Sequence, residues 1–127
     1  MASFNRVVLL GNLTADPEVR YTASELAIVD VGVAVNERVK RGGEYVDEVS
    51  YLDVTFFGRT AEVAGEYLTK GSPALIEGRL KQERWQTDDG QRRSRVKVIA
   101  ERLTLLGRRD RESQQADPVA ATAESEF

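Results

Sequence analysis

The chain contains neither cysteine nor histidine among its 127 residues. Without cysteine there is no disulfide framework and no thiolate metal site, which suits a reducing compartment. Without histidine the Ser-His and Cys-His nucleophile pairs, the usual zinc ligands and the commonest general base are absent too. Any catalysis would have to use carboxylates, lysines and hydroxyls. Long apolar runs are also missing. "MASFNRVVLLGNLTADP" has one arginine and a short apolar run ending at Gly11, less than a secretory signal needs. "LAIVDVGVAV" is broken by Asp30 and is too short to cross a bilayer. The expectation is a soluble, cytoplasmic protein with no membrane association. A net charge of −3 does not advertise a nucleic-acid partner, so the distribution of charge has to carry that question.

A chain of this length fills one compact domain. "FNRVVLLGNLT" reads as a first strand. "LAIVDVGVAVNE" alternates cleanly, with Val29, Val31, Val33 and Val35 on one face, and reads as a second. "RVKRGGEYVDE" reads as an exposed hairpin loop around Gly42 and Gly43, and residues 49–57 as a third strand. The period then changes. Thr60 is placed to cap a helix carrying Ala61, Ala64 and Leu68 as an apolar stripe, with Val63 and Tyr67 alongside, and Gly71 with Ser-Pro stops it. "PALIEGRLKQERW" and "RRSRVKVIAERLTLL" are the fourth and fifth strands around an Asp-Gly turn; parity shifts near Ile99, which predicts a bulge there. Three strands, a helix and two strands predict an all-β, five-stranded Greek-key OB-fold barrel over residues 1–107. Residues 108–127 lack periodicity and read as a disordered tail.

Strand three poses the functional question. Leu52, Val54 and Phe56 make a core face, yet Tyr51 and Phe57 share the opposite face with Asp53 and Thr55. On strand four, Trp85 shares parity with Arg79 and Lys81; on strand five, Arg93, Arg95 and Lys97 lie opposite Val96 and Val98. Residues 79–102 hold eight Lys/Arg against four Asp/Glu, so this part of an acidic protein is locally positive. Aromatic faces that stack unpaired bases, interleaved with cations that track phosphates, suit single-stranded nucleic acid. The candidate stacking residues are Tyr51, Phe57 and Trp85. The candidate phosphate contacts are Arg59, Arg79, Lys81, Arg84, Arg93, Arg95 and Lys97, of which Arg59 otherwise reads as a plain surface residue of the helix. The plainer alternatives are packing or a subunit interface for the aromatics and a solvated face for the cations. Asp53 on this face raises a metal-dependent nuclease, but no converging acids accompany it. An OB module for RNA, or for protein alone, also fits, because stacking does not read the 2′-hydroxyl.

"NRVVLLGNLTADPEVRYT" and "FFGRTAEVAGEYLTKGSPALIEGRL" resemble the corresponding blocks of bacterial single-stranded DNA-binding proteins, in register from about Phe4 to Leu106. The resemblance implies an OB-fold, usually assembled as a homotetramer, that wraps single-stranded DNA in replication, recombination and repair without reading its sequence. It implies no catalytic residue, cofactor or metal. Tyr51, Phe57 and Trp85 fall on that family's base-stacking positions. Where some members carry a further stacking tryptophan this chain has Val39, and Tyr45 is the candidate replacement. The family's long linker is nearly absent, and its acidic tip is reduced to Glu124, Ser125, Glu126 and Phe127. Glu124, Glu126 and Phe127 are the candidate contacts to replication and repair proteins.

Overall fold

A computed structural model describes residues 2–106 of the chain. Its elements are β1 (Val7–Leu13), β2 (Arg20–Tyr21), β3 (Ala27–Arg41), β4 (Glu44–Phe57), α1 (Gly58–Tyr67), β5 (Pro73–Gln86) and β6 (Arg92–Leu105). The sheet runs β1-β5-β6-β4-β3-β2, and β1 pairs again with β3, so the five long strands close into a barrel. Only β4 and β6 run parallel; the other pairs are antiparallel. This is the Greek-key order of an OB-fold, with the helix between the third and fourth long strands.

Period two decides what fills the barrel. Val29, Val31 and Val33 of β3, the even-numbered Val54 and Phe56 of β4, and Ala74 and Ile76 of β5 point inward, where all but Val31 are almost wholly removed from water. Each fully buried side chain of this size contributes about 1.5–3 kcal/mol through the hydrophobic effect. The helix packs against β3, β4 and β6, turning Thr60, Ala61, Val63 and Ala64 into the core. Leu68 joins them, whereas Tyr67 stands exposed.

Two expectations need correction, and one short element adds to them. Only Gly42 and Gly43 form the turn of the supposed hairpin loop, and strand pairing continues to Arg41 and Glu44. Both glycines have positive φ, 58° and 86°, as a two-residue type I′ turn demands, so charged flanks that looked like loop are ladder. Second, Thr60 is not the helix cap. Gly58, at φ 64°, turns β4 straight into α1, and the N-cap residue Phe57 makes no side-chain capping bond. Thr60 is buried inside the helix. Third, the two-residue β2 pairs with the start of β3, too short to leave a periodic signal.

The bulge lies where the parity shift predicts it. Gly78 pairs with Ala100 while Glu77 pairs with Arg102, leaving Glu101 as the extra residue. Val98 and Ala100 point inward before it and Leu103 after it, all buried. The expected tail, with Glu124, Glu126 and Phe127, lies outside the described residues.

At the bulge β5 and β6 approach so closely that a Cβ on Gly78 would collide with the carbonyl oxygen of Ile99 and sit 2.9 Å from its carbon. Both are backbone atoms with no rotamer to escape into. Gly78→Ala is expected to cost at least the ~1–3 kcal/mol of an overpacked core. The measurement is the urea midpoint, and a wild-type value for the variant would contradict this close approach.

Candidate nucleic-acid interface

Directly paired residues on neighbouring strands share a face of the sheet. The β5–β6 register therefore puts Trp85 beside Arg93, Glu83 beside Arg95 and Lys81 beside Lys97. On the other flank of β6, β4 pairs Thr55 with Ile99, which carries Asp53 to within 3.8 Å of Arg95. Tyr51 and Phe57 lie on this outer side, each two steps of the pleat from Asp53 or Thr55. The exposures decide the packing question within the chain: Tyr51 is 73%, Trp85 46% and Phe57 37% accessible. None of the three is a core residue.

The cations divide less simply. Arg79, Lys81, Arg93, Arg95 and Lys97 all lie on the outer face, but several are already engaged. Arg79 bonds Glu101 at 3.1 Å. Arg95 donates to Glu83 at 3.0 Å, and Lys97 reaches the other oxygen of the same carboxylate at 2.8 Å. Only 10% of the Lys97 side chain is accessible, so its reading as an open, solvated cation is corrected. Among the described residues Lys81, Arg84 and Arg93 make no ion pair. Arg84 has the opposite parity to Trp85 and pairs with Ser94, so the structure places it on the reverse face of the ribbon. Arg59 lies in the first turn of α1, 3.8 Å from Glu62. Parity reads the face of a side chain and says nothing of its partner, which is why Glu83 escaped notice.

Tyr45, named above as a candidate replacement for a stacking tryptophan, and Asp30, which drew no reading, add to this picture. Tyr45 lies six residues before Tyr51 on the same side of β4, which at ~3.3 Å per residue is about 20 Å along the strand. It is exposed, and Arg38 and Lys40 sit 5.6 Å and 5.7 Å from its ring centre. Continuing the period back through "EYVDEVSY" puts it on the Tyr51 face, once the glycine pair is a two-residue turn. Its partner across the ladder is Lys40, whereas Val39 faces the other way with Val46, so Tyr45 does not occupy the face of Val39. The second feature is Asp30, which accepts from the buried Thr55 hydroxyl at 2.5 Å and from Arg20 of β2 at 2.6 Å. Burial alone would raise its carboxyl pKa, but the bonds from Thr55 and Arg20 outweigh it and hold the group below its ordinary value. Asp53 is engaged with Arg95, and among the described residues no group of three or more acids is placed to hold a metal ion.

A family model described as the single-strand binding protein family matches residues 4–106. The chain is 51% identical over 104 residues to a single-stranded DNA-binding protein of Wolinella succinogenes, covering 81% of this chain and 64% of that one. It is 44% identical over 107 residues to the protein of that name from Treponema pallidum, covering 84% and 60%. It thus spans less than two thirds of the length of these relatives. Among solved structures, a deletion mutant of the single-stranded DNA binding protein from Thermus aquaticus superposes with a TM-score of 0.75 at 38% identity, covering 85% of this chain and 53% of that chain.

The Asp30 network makes a stability prediction. A carboxyl whose pKa is lowered by folding adds stability above its unfolded pKa, about 4, and loses it as the pH falls through the lower folded value. Asp30→Asn is expected to melt earlier than wild type at neutral pH, with the gap closing under acid. Thermal melts from pH 7 to 2.5 test this; a gap that stays constant would mean that the Asp30 charge contributes nothing.

Proposed function

The chain belongs to the single-strand binding protein family, a family of binding proteins, and from that premise we propose that it coats single-stranded DNA in replication, recombination and repair without reading sequence. The names of its relatives support this reading. The observation that carries it is the outer face of β4, β5 and β6, where Tyr51, Phe57 and Trp85 stand exposed among cations. Bases stack on these three rings, and Tyr45 extends the row. Every base offers a π-face, so the stacking is indifferent to sequence and contributes about 1–3 kcal/mol per base. Lys81 and Arg93 supply the readiest phosphate contacts, Arg79, Arg95 and Lys97 follow once their carboxylate partners yield, and Arg59 and Arg84 act from the margins. Mechanism of this kind needs no catalytic group and no cofactor.

Binding belongs to residues 1–107 and recruitment to residues 108–127, in which Phe127 docks into an apolar pocket on replication and repair proteins while Glu124 and Glu126 meet its basic rim. The protein works in the cytoplasm as a homotetramer. Val8 and Leu10 support self-association: they are 59% and 57% exposed on the outer side of β1, an apolar pair that a lone barrel leaves in water. No helix among the described residues is long and apolar enough to cross a membrane.

Tyr51→Ala and Phe57→Ala are each expected to weaken binding of oligo-dT by about 1–3 kcal/mol, with stability changed by no more than about 0.5 kcal/mol at the largely exposed Tyr51 and by more at Phe57, most of which is covered. Duplex DNA should compete poorly. A variant that melts far earlier yet binds normally per folded molecule would assign that position to structure instead. Deleting residues 108–127 should leave affinity equal or slightly tighter at low salt while removing replication and repair enzymes from a pull-down. Retention of the same enzymes by the truncated protein would reduce the tail to a solubilising appendage.

A further inference from the structure

We propose that Glu83 is an internal competitor of phosphate for Arg95 and Lys97, and so a residue that sets how tightly and how salt-sensitively the outer face holds a nucleic-acid backbone. This rests on the single-strand-binding reading above. The geometry is one carboxylate shared by two cations on the adjacent strand: one oxygen accepts from Arg95 Nε at 3.0 Å and the other from Lys97 Nζ at 2.8 Å. Asp53 on β4 approaches the remaining side of Arg95 at 3.8 Å. Two cations therefore face two carboxylates, and this centre is neutral at rest although strands β5 and β6 as a whole are basic.

The location makes the neutrality matter. Trp85 is two residues beyond Glu83 on the same face and Lys81 two residues before it, with Arg93 opposite Trp85. The backbone of a strand whose base stacks on Trp85 runs beside this centre. Phosphate oxygens and carboxylate oxygens want the same charge-assisted donors, so phosphate contacts made by Arg95 or Lys97 compete with Glu83. From the neighbouring strands, β3 contributes Asp30, which interacts with Lys97 and is itself paired with Arg20, and β4 contributes Asp53. Hydrogen bonds from Lys97 and then Arg95 hold the Glu83 carboxyl below its ordinary pKa, as expected of a carboxylate favoured by both partners. With Glu83 neutralised, Lys97 would keep its mostly covered position but lose its anion, and phosphate would be the replacement at hand.

The test compares the full chain, Glu83→Gln and Glu66→Gln in binding oligo-dT across a salt series. Glu66 is an exposed acid of α1 and controls for the simple loss of one negative charge. Glu83→Gln is expected to bind about tenfold tighter at low salt, with the log–log slope steeper by about 0.7 for each phosphate contact released. Glu66→Gln should follow wild type within about twofold. Introducing Glu83→Gln into an Arg95→Gln, Lys97→Gln background should give no gain. Glu83→Ser removes the same charge with a shorter side chain and replaces Glu83→Gln should a melting curve show that variant unfolded. Unchanged or weaker binding by the variant would overturn the proposal and make Glu83 a residue that orders the cations; a gain that survives without Arg95 and Lys97, or that Glu66→Gln matches, would overturn it as well. If neither wild type nor Glu83→Gln binds oligo-dT at any salt, the functional reading itself falls and this inference with it.

Discussion

β6 changes face at Glu101, and the rest of the structure depends on that one-residue slip. Closing five strands around a core this small requires β6 to point Val98 and Ala100 inward where it meets β4 and Leu103 inward where it meets the far part of β5. A strict two-residue period would send one set or the other into water. The slip is possible because Gly78 allows the Ile99 carbonyl to come into the space a side chain would fill. It also fixes which residues of β6 face outward beside Trp85. Arg93, Arg95 and Lys97 are on that face because the bulge comes after them.

Beyond the barrel wall β5 and β6 continue as a two-stranded ribbon, as do β3 and β4 to the Gly42–Gly43 turn. Along these extensions inward parity no longer means burial, which is why Leu80 and Val96 are exposed although they continue the core faces of their strands. On these extensions Tyr45 and Trp85 have no internal core to join, while Tyr51 and Phe57 face outward from the barrel wall by parity. Magnitudes rank the two contributions to the proposed binding. Stacking on an exposed ring is worth about 1–3 kcal/mol per base, whereas an exposed ion pair yields roughly 0–1 kcal/mol. In the proposed binding, the rings would add affinity for each stacked base, and the cations would govern how it varies with ionic strength and how fast the strand is found.

Much of this was legible in the sequence because period two survives in the long strands. The outward parity of Tyr51, Phe57, Trp85 and the β6 cations, the valine face of β3 and the bulge near Ile99 all followed from alternation, and the structure keeps them. What failed to show had physical causes. A glycine pair between charged residues looks alike as a two-residue turn or a longer loop, since cross-strand pairs such as Arg41 with Glu48 are solvent-exposed and carry no apolar signal. Thr60 has the chemistry of a cap, but Gly58 turns the chain two residues earlier. The pairing of Glu83 with Arg95 and Lys97 depends on the β5–β6 register, which no single strand reveals. Arg84 was grouped with the face by charge although its parity pointed the other way.

The central claim is that unpaired bases stack on the outer face of the barrel, and the chain's single tryptophan, Trp85, lies on that face and reports on it directly. The decisive measurement is the emission of Trp85 during titration with oligo-dT, with binding followed in parallel by the anisotropy of a labelled strand and with a duplex of equal length as comparison. Stacking predicts strong quenching that saturates with the anisotropy change and is small for the duplex. An emission spectrum unchanged at full saturation by oligo-dT would contradict the account, because the strand would then be bound without touching the ring on which the face is centred.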